Sequence, residues 1–308
     1  MKRIIAISAF LLLAAAAWAQ TDAEAFKARY DRQVRMVGVA GVGVETILDR
    51  WAEAFPDDPD MLEGRYRFYL NKSVGSTVVA RDRSRYLGKE PILSLQDSTG
   101  KDIFYFEDNV FVDSLFAASQ SAIDKAIAIA PTELAYRVDK ITALLLYEKD
   151  SPDMATQQLL QLIDYQKTAK PEWTYYGLAV DEDSFRQTIQ EYCYNLFQFA
   201  TPGSYEAFRT MSEAMLKLYP KDTGFMNNIG SYWLVYKQNN RQALKWYNKV
   251  LKIDPKDYSA AKNCVILARK EKDTKLEKKY LPYLIEATDS EAERASSQAR
   301  LEGLGKKK

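Results

Sequence analysis

The chain contains no histidine. That absence removes the commonest general base, the commonest metal ligand and the serine–histidine mechanism together. Cysteine is scarce: Cys193 and Cys264 are the pair present, far apart in sequence, and they form no C-x-x-C motif. An excess of one charge is also missing. Forty-three Lys and Arg face 42 Asp and Glu, so no net field draws in nucleic acid or anionic lipid. After the first twenty residues no stretch stays apolar for the roughly eighteen residues that a membrane helix needs. Catalytic signatures are absent too. There is no G-x-S-x-G and no H-E-x-x-H, and "STGKD" (Ser98–Asp102) puts Asp where a P-loop needs Ser or Thr. "GVAGVG" (Gly38–Gly43) lacks the G-x-G-x-x-G order and reads as the approach to a helix. The carboxylates Asp181, Glu182 and Asp183 read as a solvated loop or helix N-terminus. No catalytic residue, cofactor or metal ligand is assigned, and the chain is not expected to be an enzyme.

What is present begins with "MKRIIAISAFLLLAAAAWAQ". Lys2 and Arg3 form a basic n-region, Ile4–Ala17 an apolar run, and Ala17-Trp18-Ala19 a cleavage site. Residues 1–19 are therefore expected to be a signal peptide and the mature chain to be periplasmic or secreted, with no membrane span.

The rest is organised by helix endings. "ALKWYNKVLKIDP" places Ala243, Leu244, Tyr247, Val250 and Leu251 on one helical stripe and stops at Pro255. Asp254, just before the proline, is pushed out of the α region. The same ending recurs at Pro56, Pro131, Pro171 and Pro220. A further helix precedes several of these, so the unit is helix, short turn, helix, proline. A repeat of that kind signals a helical solenoid.

The final unit, 225–257, resembles a tetratricopeptide repeat (TPR). Gly230 stands for the small residue of the first helix, Ala243 and Tyr247 for the small and aromatic residues of the second, and Pro255 for the closing proline. Val250 replaces a residue that is usually small, and one extra residue between Gly230 and Ala243 is expected to lengthen the turn. Ala126 and Pro131 fit an earlier unit, whereas in the unit ending at Pro220 the Ala slot holds Phe208. The resemblance implies an all-α, TPR-like right-handed helical-hairpin solenoid spanning residues 20–308. Residues 72–110 interrupt it. "SVGSTVVARDRSRYLGKE" is expected to be a mobile loop, and "PILSLQDSTGKDIFYFED" a β-hairpin turning at Asp97–Gly100.

In stacked helix pairs the first helices line the concave face. Asn227, Asn228, Ser231, Lys262 and Asn263 fall on first helices and are expected to face that groove. The family likeness implies that an Asn there, often beside a Lys, grips the backbone of an extended peptide. The expected partner is thus a protein or peptide, with no nucleic acid. The alternative is a carbohydrate-binding helper of a nutrient-uptake complex. It would use an aromatic patch of Trp173, Tyr175 and Tyr176, just past Pro171. Cys193 and Cys264 are placed two repeats apart and are expected not to bond to each other.

Overall fold

The structure is a computed structural model that describes residues 22–306. The signal-peptide reading falls on residues 1–19 and lies outside them. Within the described residues the chain divides into two compact units, one of residues 22–149 and 171–181, the other of 150–170 and 182–306. No helix among the described residues is long and apolar enough to cross a membrane.

The fold is all-α and TPR-like, built from helical hairpins with one small sheet inserted. The first unit holds α1 (22–37), α2 (Val44–Ala54), α3 (Pro59–Ser73), β1 (Val74–Arg81), β2 (Leu93–Gln96), β3 (Asp102–Phe111), α4 (Asp113–Ile129) and α5 (Leu134–Glu148). It closes with the short strands β4 (Thr174–Tyr175) and β5 (Leu178–Ala179). The second unit holds α6 (Asp153–Ala169), α7 (Glu182–Phe199), α8 (Pro202–Leu218), α9 (Thr223–Ser231), α10 (Asn240–Ile253), α11 (Tyr258–Lys270), α12 (Thr274–Ala287) and α13 (Glu291–Lys306).

The prolines set the ends as the sequence implies. α2, α4, α6, α8 and α10 each stop two residues before one. The residue in between leaves the helix because the pyrrolidine ring crowds its α conformation. Phe55, Ala130, Tyr219 and Asp254 do so with φ between −139° and −120°, while Lys170 turns left-handed. Starts are set by short polar side chains. Asp222, Asn239, Asp257 and Asp273 each accept a hydrogen bond from the backbone N–H three residues on, at 2.8–3.2 Å. Each such cap contributes about 1 kcal/mol.

Two of the helical packings set a small residue against a large one. In the second unit Gly230 lies under the fully buried Tyr247 ring, flanked by Ala243, Val250, Ala261 and Cys264. In the first unit Gly64 does the same for Tyr30 and Leu48. Both cysteines are buried and free.

Two features differ from the sequence reading. The extra residue between Gly230 and Ala243 does not lengthen the turn. It is absorbed as a π-helical segment, Tyr232–Tyr236, in continuation of α9, the form that one inserted residue takes inside a helix. The loop expected after Ser73 is strand β1, antiparallel to β3 from Val74↔Phe111 to Arg81↔Phe104. Its Thr77, Val78 and Val79 carry the β preference that neighbouring Gly and Ser obscured. The inserted sheet, in the order β1-β3-β2, contributes to the core. Phe106 is fully buried, and Asp108 pairs with Lys149 at 2.8 Å. The β2–β3 hairpin itself matches expectation. Gly100 has φ +82°, and Asp97 Oδ1 accepts from Thr99 N, Thr99 Oγ1 and Lys101 N, bonds that hold its carboxyl below the usual range.

Candidate binding faces

In the second unit α7, α9 and α11 are the first helices of their hairpins, and their polar residues form an interlocked row. Arg186 on α7 donates to Asp183 and, at 3.0 Å, to Asp222, the cap of α9. Gln190 and Asn228 exchange both amide bonds at 3.0 Å, and Asn228 also donates to Ser212 at 3.2 Å. Asn227 donates to both oxygens of Asp257, the cap of α11, at 3.1 and 3.0 Å. Lys262 on α11 pairs with Glu293 on α13, which raises the ammonium's pKa and lowers the carboxyl's. Ser231 Oγ lies 3.3 Å from the Tyr247 hydroxyl, and Asn263 is half-buried.

These positions correct the expectation of an open groove lined by free amides. Asn227 and Asn228 are only 9% and 8% exposed. The reason is that each first helix is stitched to the next through its polar side chains. Both NH2 groups, and the Asn228 oxygen, are spent on that seam.

Beside the seam lies a hollow of about 250 Å³, lined by Asp183, Arg186, Gln187, Gln190, Asp222 and Phe225. Two polar atoms on this face are left over. Arg186 Nε is buried with no hydrogen-bond acceptor, and Asn227 Oδ1 is buried with no donor. An orphaned buried polar atom costs about 1–3 kcal/mol, which a ligand's matching group recovers. Sequence reasoning did not single out Arg186 and Gln190. Their signal was weak, since Arg and Gln on a helix read as surface residues. Glu182 and Asp183 occupy the first turn of α7, where the helix dipole favours acids.

In the first unit the aromatic segment forms a two-residue hairpin. Tyr176 and Gly177 are its turn, with φ +48° and +77°, a type I′ geometry in which a tyrosine is costly. The Glu133 carboxylate holds the turn by accepting from Tyr176 N at 2.7 Å and Thr174 Oγ1 at 2.8 Å. The structure does not present the three aromatics as one patch. Trp173 is 3% exposed, under the Arg137 guanidinium at 5.8 Å. Tyr175 and Tyr176 are exposed but meet edge to face at 76°, so they make no flat platform.

No family model matches the chain, and no curated protein does. Among solved structures it is similar to Pseudomonas aeruginosa pilF, at 14% identity over 61% of this chain and 81% of that one, with a TM-score of 0.37. It is also similar to the flexible tandem repeat domain of a bacterial cellulose synthase component, at 16% identity over 86% and 90%, with a TM-score of 0.29. At those scores neither likeness carries an argument about what this chain binds.

Proposed function

We propose that the chain is a protein-binding scaffold that holds an extended segment of a partner against the first-helix face of its second unit. The observation that carries this reading is the orphaned pair, Arg186 Nε and Asn227 Oδ1. One is a donor and the other an acceptor on the same row of first helices, with the hollow beside Arg186. A peptide backbone offers N–H and C=O alternately and satisfies both. The roles inferred for Asn228 and Lys262 shift accordingly, from direct grip to holding the helices in register. Export to the periplasm or beyond is part of the proposal and rests on the sequence of residues 1–19 alone. The carbohydrate reading is supported less, because the exposed tyrosines make no coplanar stacking surface.

The test is a photo-crosslinking amino acid placed at Gln187, on the exposed first-helix face, and separately at Lys245, exposed on α10. The proposal predicts adducts to one partner segment from Gln187 and none from Lys245. Equal labelling from both positions contradicts it.

A further inference from the structure

A second cavity, of about 180 Å³, lies in the first unit, where α1, α3 and the Tyr176 turn meet. Its charged lining is Lys27, Asp31, Asp60, Glu63 and Arg67, and Asp139 lies behind it, 3.4 Å from the Tyr176 hydroxyl. Two cations thus face four carboxylates. Both cations are already spent. Lys27 bonds Asp60 at 2.6 Å, and Arg67 pairs with Glu63 at 2.5 Å and donates to the Tyr176 hydroxyl at 2.9 Å. The surplus is negative.

Tyr30 supplies the independent observation. It lines the cavity, is 8% exposed, and its hydroxyl has no hydrogen-bond partner. The ring cannot withdraw on one side, because it rests on Gly64, where an added Cβ would come within 3.2 Å of its Cζ. A buried hydroxyl left without a partner is an unfilled contact. The carboxylates agree with it. Burial raises the pKa of Glu63 and of Asp139 even though Arg67 stands beside both. Desolvation disfavours the charged form of each. The strained turn at Tyr176 carries its phenol to this cluster, more than a hundred residues along the chain from Arg67. Strain of that kind is stored where a site needs it.

A cationic N–H donor answers every one of these features. It neutralises the surplus charge and donates to Glu63 and to the Tyr30 hydroxyl. Tyr30, Trp51 and Tyr176 add aromatic rings to the lining. An anion meets the surplus of carboxylates, and a neutral alcohol leaves the charge uncorrected. We propose that this cavity binds an alkylammonium or guanidinium group, presented either by a small free amine or by a Lys or Arg side chain of a protein. The site belongs wholly to the first unit and does not depend on the peptide reading of the second.

The experiment titrates the full-length mature chain by NMR or calorimetry with n-butylammonium, with butyrate and n-butanol as matched controls. Butylammonium should bind and the two controls should not. A short peptide carrying one internal lysine distinguishes the sources. Binding of that peptide at least as tightly as the free amine assigns a protein side chain, and exclusion of the peptide assigns a small amine. Tyr30→Phe keeps the ring and removes only the unpartnered hydroxyl. It should weaken binding about tenfold or more, the worth of one hydrogen bond to a charged group. Asp31→Asn, at the half-exposed rim, should weaken it in the same direction. Butylammonium and the lysine peptide binding no better than butyrate, or full affinity retained in both variants, overturns the proposal.

Discussion

A methyl group added at Gly230 should cost stability with Tyr247 in place and return some with Tyr247 cut back. The added Cβ would lie 2.4 Å from Tyr247 Cε1 and 2.8 Å from its Cδ1 and Cζ. Carbon contacts are relaxed at about 3.5–4.0 Å, so ring or helix must move. The ring is fully buried and its hydroxyl lies 3.3 Å from Ser231 Oγ, which leaves little room to swing. Overpacking of this kind costs about 1–3 kcal/mol. Alanine returns up to about 1 kcal/mol over glycine in a helix interior. Gly230→Ala should therefore destabilise by about 1–2 kcal/mol. In a Tyr247→Leu background the clash is gone, and the same change should stabilise by about 0.5–1 kcal/mol. The coupling energy is then about 2 kcal/mol, within the range for residues in contact. Native-state hydrogen exchange read by mass spectrometry on α9 and α10 peptides measures it, with α4 and α5 in the other unit as internal control. An equal penalty in both backgrounds would refute the packing argument, because the glycine would then be needed for some other reason.

The other predictions are smaller in scope. Asn228→Ala should destabilise by about 2 kcal/mol, since it strips bonds from Gln190 and Ser212; a change below about 0.5 kcal/mol, the mark of a surface site, contradicts the seam. Phe106→Ala should cost about 3–5 kcal/mol, as the loss of a fully buried ring, and a neutral result would make the sheet a detachable appendage. Glu277 is held by bonds from Arg300 and Arg269, and these lower its pKa. Its contribution is present above the ordinary carboxylate range and lost as pH falls through the folded-state titration. Glu277→Gln should thus be less stable than wild type by about 2 kcal/mol at neutral pH, discounted because both arginines are half-exposed. The difference should close in acid, which thermal melts across pH will measure. Cys193 and Cys264, whose thiols burial pushes up to about 12, should resist alkylation in the native chain and both react once it is denatured without reductant.

Legibility from sequence followed the range of the interactions. The helix endings were readable because a proline acts on the residue next to it, and all five endings fall where Pro56, Pro131, Pro171, Pro220 and Pro255 require. The Gly230–Tyr247 pairing was readable because both residues lie within one repeat. The π-helical segment was visible only as a surplus residue, and nothing local distinguishes a bulge from a longer turn. β1 was missed because β3, the strand it pairs with along its whole length, begins some twenty residues further on. Burial of Asn227 and Asn228 was missed for the same reason. Their partners Asp257 and Gln190 sit 30 and 38 residues away, and an asparagine on a helix carries no mark of what it will meet. The first unit's cavity is the extreme case, since α1, α3, α5 and the Tyr176 turn each bring one part of it.

The central claim is that a partner segment binds along the first helices of the second unit. The direct measurement is the affinity of the segment crosslinked from Gln187 for wild type, Arg186→Gln and Tyr175→Ala. Arg186→Gln removes the orphaned Nε together with the bonds to Asp183 and Asp222, and Tyr175→Ala truncates an exposed ring of the first unit's hairpin. Arg186→Gln should lower affinity about tenfold, the equivalent of one charge-assisted hydrogen bond, while Tyr175→Ala leaves it unchanged. Full affinity in Arg186→Gln together with loss in Tyr175→Ala would contradict the claim and move the binding site to the aromatic hairpin.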